Sequence, residues 1–130
     1  MEKRILITDD NEECRRSLAT ILAEVGYSVD LAENGKEALA QVKSSGRQFD
    51  LLITDLNMPD MDGLQLLTEV KRVDPDLPVI AISGSFSGRL LRFAATFGVA
   101  VLQKPFKRGP FLTLVESTVA NASDTASKKL

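Results

Sequence analysis

Short apolar runs alternate five times along the chain with longer segments of helical spacing. Residues 4–8 (RILIT) form a continuous apolar run of strand length, as a strand covered on both faces requires. Residues 11–25 follow, with Leu18, Ile21, Leu22 and Val25 on one helical stripe, and Gly26 stands where a helix ends. Residues 27–32 alternate as a second strand, and residues 35–45 predict a second helix closed at Gly46. The pattern repeats as strand 49–54 (FDLLIT), helix 63–73 closed by Asp74-Pro75, strand 78–83 (PVIAIS), helix 88–97, strand 99–103 (VAVLQ) and helix 106–122. Small polar residues from Asn121 onward (NASDTASKKL) predict a frayed end.

Strands alternating with helices of this length imply right-handed βαβ units and a parallel sheet with helices on both faces. The fold class is α/β, a flavodoxin-like doubly wound (βα)5 three-layer sandwich with sheet order 2-1-3-4-5. Residues 1–122 make the folded domain, and 123–130 a polar tail or the start of a linker. In this topology ligands sit beyond the carboxyl ends of the strands, where strand order reverses. The first and third strands flank that point.

Composition narrows the chemistry. With 130 residues there is room for one core, and 44% hydrophobic with 26% charged residues is ordinary for a globular protein. A net charge of −2 gives no chain-wide basic field for nucleic acid. The absence of histidine excludes imidazole catalysis and His-ligated metal. The single Cys14 has no internal disulfide partner, and its place in a helical segment predicts a semi-buried structural thiol. No signal peptide or membrane-length apolar run is present, so the expected location is the cytoplasm, without membrane contact.

The strand ends carry the chemistry: Asp9-Asp10 after the first, Asp55 after the third, Ser83-Gly84 after the fourth and Lys104-Pro105 after the fifth. Singly, each has a plain structural explanation. Asp10 with Glu13 resembles a helix capping box, TDLNMPDMDG is turn-rich, and Pro105 could open the last helix. Jointly, the predicted order brings the three aspartates into one pocket, with Ser83 one strand away and Lys104 able to lean back across two strands. Carboxylates about 5 Å apart repel by roughly 3 kcal/mol at an effective dielectric of about 20. Such a cluster calls for a cation. Hard oxygen donors favour Mg²⁺, and the lysine and hydroxyl complete a site for phosphoryl transfer.

The strings LITDDNE, LLITDLNMPDMDG, AISGS and LQKPF, in this order, resemble the motifs of the receiver domain of two-component response regulators, over about residues 3–120. The resemblance implies a phosphorelay switch rather than an enzyme with a turned-over substrate. Asp55 would accept a phosphoryl group from a sensor histidine kinase or phosphotransfer protein. Asp9, Asp10, Asp55 and the Asn57 backbone carbonyl would hold Mg²⁺. Ser83, Lys104 and the Gly84 N–H would contact the phosphoryl group, and a cis peptide would precede Pro105. The fourth helix, fifth strand and last helix would form the surface for an output partner or a homodimer, with no direct nucleic-acid contact. The alternative within the family is a pseudo-receiver acting only as an interaction module. Dehalogenase-type phosphatases and flavin carriers fit less well, since one needs D-x-D after the first strand and the other a Ser/Thr/Gly-rich first loop.

One departure concerns switching. Many receivers carry an aromatic residue three positions before the lysine; this chain has Val101, in a segment (GVAVLQK) about one residue shorter than usual. A smaller or differently placed rearrangement around residues 86–97 is expected. Arg89 and Arg92 are predicted as an exposed pair, Lys107-Arg108 as a solvated pair, and Phe93, Phe97, Phe106 and Phe111 as core.

Overall fold

The structure is a computed structural model that describes residues 2–44, 49–57 and 61–128, the segment from 122 onward as backbone only. The elements in chain order are β1 (Arg4–Thr8), α1 (Glu12–Glu24), β2 (Ser28–Ala32), α2 (Gly35–Lys43), β3 (Leu51–Asp55), α3 (Gly63–Val73), β4 (Val79–Ser83), α4 (Gly88–Phe97), β5 (Ala100–Gln103) and α5 (Arg108–Lys128). The strands form one parallel sheet in the order β2-β1-β3-β4-β5, the doubly wound fold implied by the alternation.

The strand period of two sorts the apolar runs into two layers. Leu6, Leu52, Val79 and Ala81 point to one face, under Ala38 of α2, Leu66, Leu67 and Val70 of α3, and Ala94 of α4. Ile5, Ile7, Leu51, Ile53, Ile80 and Ile82 point to the other, under Leu18 and Leu22 of α1 and Phe111, Val115 and Val119 of α5. All of these are buried, and each large side chain contributes roughly 1.5–3 kcal/mol relative to exposure. These two layers clamp the central strands, so the loops at their carboxyl ends hang from a rigid base.

Several local expectations need correcting. The N-cap of α1 is Asn11, whose side chain accepts from the Cys14 N–H, and not Asp10. Cys14 is exposed, because the buried stripe of α1 runs through Arg15, Leu18 and Leu22, one position over. Phe97 is half-exposed at the end of α4, its ring 4.5 Å from that of Phe93, whereas Phe111 is fully buried. Arg108 is not merely solvated: it pairs with Glu24 of α1 at 2.7 Å. α5 begins at Arg108, beyond Pro105, and continues through Lys128 where a frayed end was expected. The Gly46 expected to close α2 lies outside the described residues. Gly26 does follow α1 in a left-handed conformation, with φ +99°.

Gly63 opens α3 immediately after the site loop. A Cβ there would stand 2.8 Å from Leu56 Cβ and 3.1 Å from the Leu56 carbonyl oxygen. Gly63→Ala is therefore expected to cost about 1–3 kcal/mol through overpacking and to lower the melting temperature by roughly 4–12 °C. An unchanged melting temperature would show that the α3 entrance can move away from Leu56 freely.

Candidate functional site

The parallel register lines up the strand ends: Thr8 pairs with Thr54, Asp55 with Ile82, and Ser83 with Gln103. Asp9 and Asp55 thus emerge side by side from β1 and β3. One carboxylate oxygen from each of Asp9, Asp10 and Asp55 lies within 4.8 Å of the others. Asp9 and Asp55 are 2% and 5% exposed, while Asp10 faces solvent. Burial pushes the Asp9 carboxyl above its ordinary range, and the Asp55 and Asp10 charges push the same way. The Asn11 N–H, at 2.9 Å from Asp9 Oδ1, and the Lys104 charge pull against them. The balance disfavours the charged form of Asp9.

Lys104, just beyond β5, reaches back across β4. Its ammonium donates to Asp55 Oδ2 at 2.8 Å, and its backbone N–H donates to the Ser83 carbonyl at 2.9 Å. Burial lowers the affinity of this amine for its proton, but the Asp55 hydrogen bond and the Asp55 and Asp9 charges together outweigh it, so its pKa is raised. The other Asp55 oxygen accepts from the Asn57 N–H at 2.8 Å. The peptide bond between Lys104 and Pro105 is cis.

Ser83 is buried at the tip of β4 but turned to its own loop. Its hydroxyl donates to the Ser85 carbonyl at 2.7 Å and accepts from the Asn57 side chain at 3.2 Å. Gly84 is exposed, with nothing within 4 Å of where a Cβ would stand, and its carbonyl accepts from the Gln103 side chain at 3.2 Å. The structure thus brings Asp9, Asp10, Asp55 and Lys104 into direct register, with Asn57 as the link from Asp55 to Ser83. Met58, Pro59 and Asp60 of the same loop lie outside the described residues.

Arg15 was missed by sequence reasoning. It is buried, and its guanidinium donates to the Asp9 carbonyl oxygen at 2.8 Å, with Glu33 3.9 Å away. The signal was present, since residue 15 falls on the same helical stripe as Leu18 and Leu22. An arginine on an apolar stripe is ordinarily assigned to the surface because a buried charge is costly without a partner. Here the Asp9 carbonyl is that partner, and Arg15 fixes the backbone from which the first acid projects.

The donor set is suited to a hard divalent ion: three carboxylates, no nitrogen or sulfur ligand among the described residues, and one acid whose charged form burial disfavours. The model of the response regulator receiver domain family matches residues 5–116. The chain is 34% identical over 121 residues to the response regulator receiver protein CpdR of Brucella abortus, covering 92% of this chain and 99% of that one. It is 41% identical over 104 residues to a response regulator receiver protein of Anaeromyxobacter sp. (strain Fw109-5), covering 79% of this chain but only 43% of that longer protein. Among solved structures, a CheY-like response regulator receiver domain protein from Methanospirillum hungatei superposes with a TM-score of 0.89 at 28% identity, covering 96% of this chain and 99% of that one. The chain belongs to the receiver domain family of two-component response regulators, whose members are signalling switches and not classical enzymes.

Proposed function

We propose that this receiver is a phospho-accepting switch, with Asp55 as acceptor and Mg²⁺ as cofactor. One observation carries the reading: Asp55 shares its pocket with two further carboxylates within 4.8 Å and is held by Lys104 at 2.8 Å. Asp9, Asp10, Asp55 and the Asn57 carbonyl would hold Mg²⁺. When bound, the ion supplies charge neutralisation on the transferring group. The donor is a phosphohistidine on a sensor histidine kinase or phosphotransfer protein, or a small acyl phosphate. The Asp55 carboxylate attacks phosphorus in line; an O–P bond forms, the bond to the donor breaks, and the leaving group keeps its electron pair. Lys104 moves from the carboxylate to the incoming oxygens, and the Gly84 N–H is free to donate to them. Water later cleaves the acyl phosphate and resets Asp55.

Switching follows from the Ser83 hydroxyl. At rest it donates to the Ser85 carbonyl; a phosphoryl oxygen on Asp55 is a stronger, charged acceptor. Exchanging one for the other frees the loop between β4 and α4, and through it the α4/β5/α5 face that an output partner or a second copy would contact. Val101 lies in register with Ala81, on the α4 side of the sheet, and is 36% exposed. With no ring there to follow Ser83 inward, the rearrangement stays around residues 86–97. Amide spectra with and without a phosphate mimic check this, and shifts spanning all of β5 would refute it. The receiver unit is taken as 1–122, with 123–130 as tail or linker, acting in the cytoplasm.

The direct test is incubation with acetyl phosphate. One hydroxylamine-labile phosphoryl group per chain is expected, dependent on Mg²⁺ and abolished by chelator. Absence of labelling, or labelling indifferent to chelator, would leave only an interaction module.

A further inference from the structure

Asp9 is held at three points. Its N–H donates to the Ala32 carbonyl at 3.3 Å, its Oδ1 accepts from the Asn11 N–H at 2.9 Å, and its carbonyl oxygen accepts from Arg15 Nη1 at 2.8 Å. The first two use backbone partners that positions 32 and 11 supply almost whatever their side chains. The third needs an arginine, and in an unfavourable place. Arg15 is 8% exposed, on the buried stripe of α1 that also carries Leu18 and Leu22, where a charged group is destabilising unless a partner offsets its desolvation. Glu33, in the loop between β2 and α2, stands 3.9 Å from Nη2 and is itself exposed, too far for a hydrogen bond and screened by water. The close partner is thus a neutral carbonyl, so simple charge neutralisation does not explain the burial.

That carbonyl belongs to the peptide unit joining Asp9 to Asp10. The unit is planar, so a bond that fixes its C=O also fixes the direction in which the chain leaves Asp9 for Asp10. One guanidinium therefore orients two of the three carboxylates gathered within 4.8 Å. We propose that Arg15 is a positioning residue for the divalent cation, locking the plane between Asp9 and Asp10 so that both acids meet the ion together. This inference rests on the Mg²⁺ reading of the pocket. Arg15 touches neither ion nor phosphoryl group; it acts through the backbone. Without it the carbonyl loses its donor and the peptide is free to turn, which spreads the two carboxylates. Mg²⁺ demands near-ideal octahedral geometry, and loss of a group that orients metal ligands ordinarily weakens binding by about 10–100-fold.

The test is titration of Mg²⁺ into the full ¹⁵N-labelled chain, with the dissociation constant read from amides at 9–11 and 55–57. Arg15→Met keeps an apolar stem and removes the donor. It is expected to bind Mg²⁺ about tenfold or more less tightly and to gain less in melting temperature from the ion than the parent does. Arg15→Lys restores one N–H to the carbonyl and should stay within about threefold of the parent. Leu18→Val thins the same buried stripe; it should lower the melting temperature in chelator yet leave the dissociation constant within about twofold. Should Arg15→Met fail to fold, Arg15→Gln, too short to reach the Asp9 carbonyl, carries the same expectation. Parent-like Mg²⁺ affinity in a folded Arg15→Met or Arg15→Gln chain would overturn the proposal. So would a loss in Leu18→Val as large as theirs, since general loosening of α1 would then account for both. A parent chain that binds no Mg²⁺ would sink the cofactor reading, and this inference with it, before any variant is compared.

Discussion

Asp55→Asn should take up no phosphoryl group from acetyl phosphate or from a kinase, a loss of more than about a thousandfold, as removal of a nucleophile gives. The amide keeps the shape of the carboxylate and one oxygen to accept the Asn57 N–H. What it lacks is the negative charge that attacks phosphorus and the partner for the Lys104 ammonium, now 2.8 Å away. The fold should survive, because Asp55 stands above the two core layers and not within them. Phosphoryl incorporation followed by peptide mapping checks the result. Labelling that persisted in the variant, at whatever residue, would mean that another group is the acceptor.

The second large effect belongs to Asp9→Asn, and it has two opposite signs. In the parent chain, burial and the neighbouring Asp55 charge raise the Asp9 pKa on folding. An acid raised on folding binds more protons in the folded than in the unfolded state, so stability falls as pH climbs from the unfolded value through the folded one. The penalty is absent in acid and grows as pH climbs through the raised folded value. Asparagine keeps Oδ1 for the Asn11 N–H and removes the charge. In chelator at neutral pH the variant should therefore be more stable than the parent, by about 1 kcal/mol once the Lys104 attraction is also given up. Mg²⁺ reverses the order: it should raise the parent's melting temperature by mass action and leave the variant's nearly unmoved. Calorimetric scans in chelator and in millimolar Mg²⁺ measure both. A variant less stable in chelator, or a parent indifferent to Mg²⁺, would contradict the account of a charge-frustrated cation pocket.

Much of this pocket was legible before any coordinates, for a topological reason. Parallel strands all present their carboxyl ends on one edge, so residues following the runs 4–8, 49–54 and 78–83 had to meet. The apolar runs of β1, β3 and β4 fixed the core for the same reason: strands covered on both faces cannot alternate. The failures lie where side-chain direction decides. Nothing in the run VIAIS says that the Ser83 hydroxyl rests on the Ser85 carbonyl. Asn11 wins the cap from Asp10 by one residue, too fine a difference for spacing to resolve. Cys14 and Arg15 are neighbours on α1, yet the arginine is buried and the thiol is not; that choice is made by the Asp9 carbonyl, an acceptor that only the folded backbone puts in place. Phe97 escapes the core because α4 ends at it, where Gly98 turns the chain with φ +69°.

Lys104 is tied at two points, by its N–H to the tip of β4 and by its ammonium to Asp55 on β3, although it follows the edge strand of the sheet. Whatever grips that edge can therefore pull on the reacting centre. By thermodynamic reciprocity, a ligand of the edge that binds the phosphorylated state more tightly must favour phosphorylation to the same degree. A listener at that edge would then help set how long the message lasts, and the decay time of the proposed acyl phosphate, timed with and without an output partner, would reveal it.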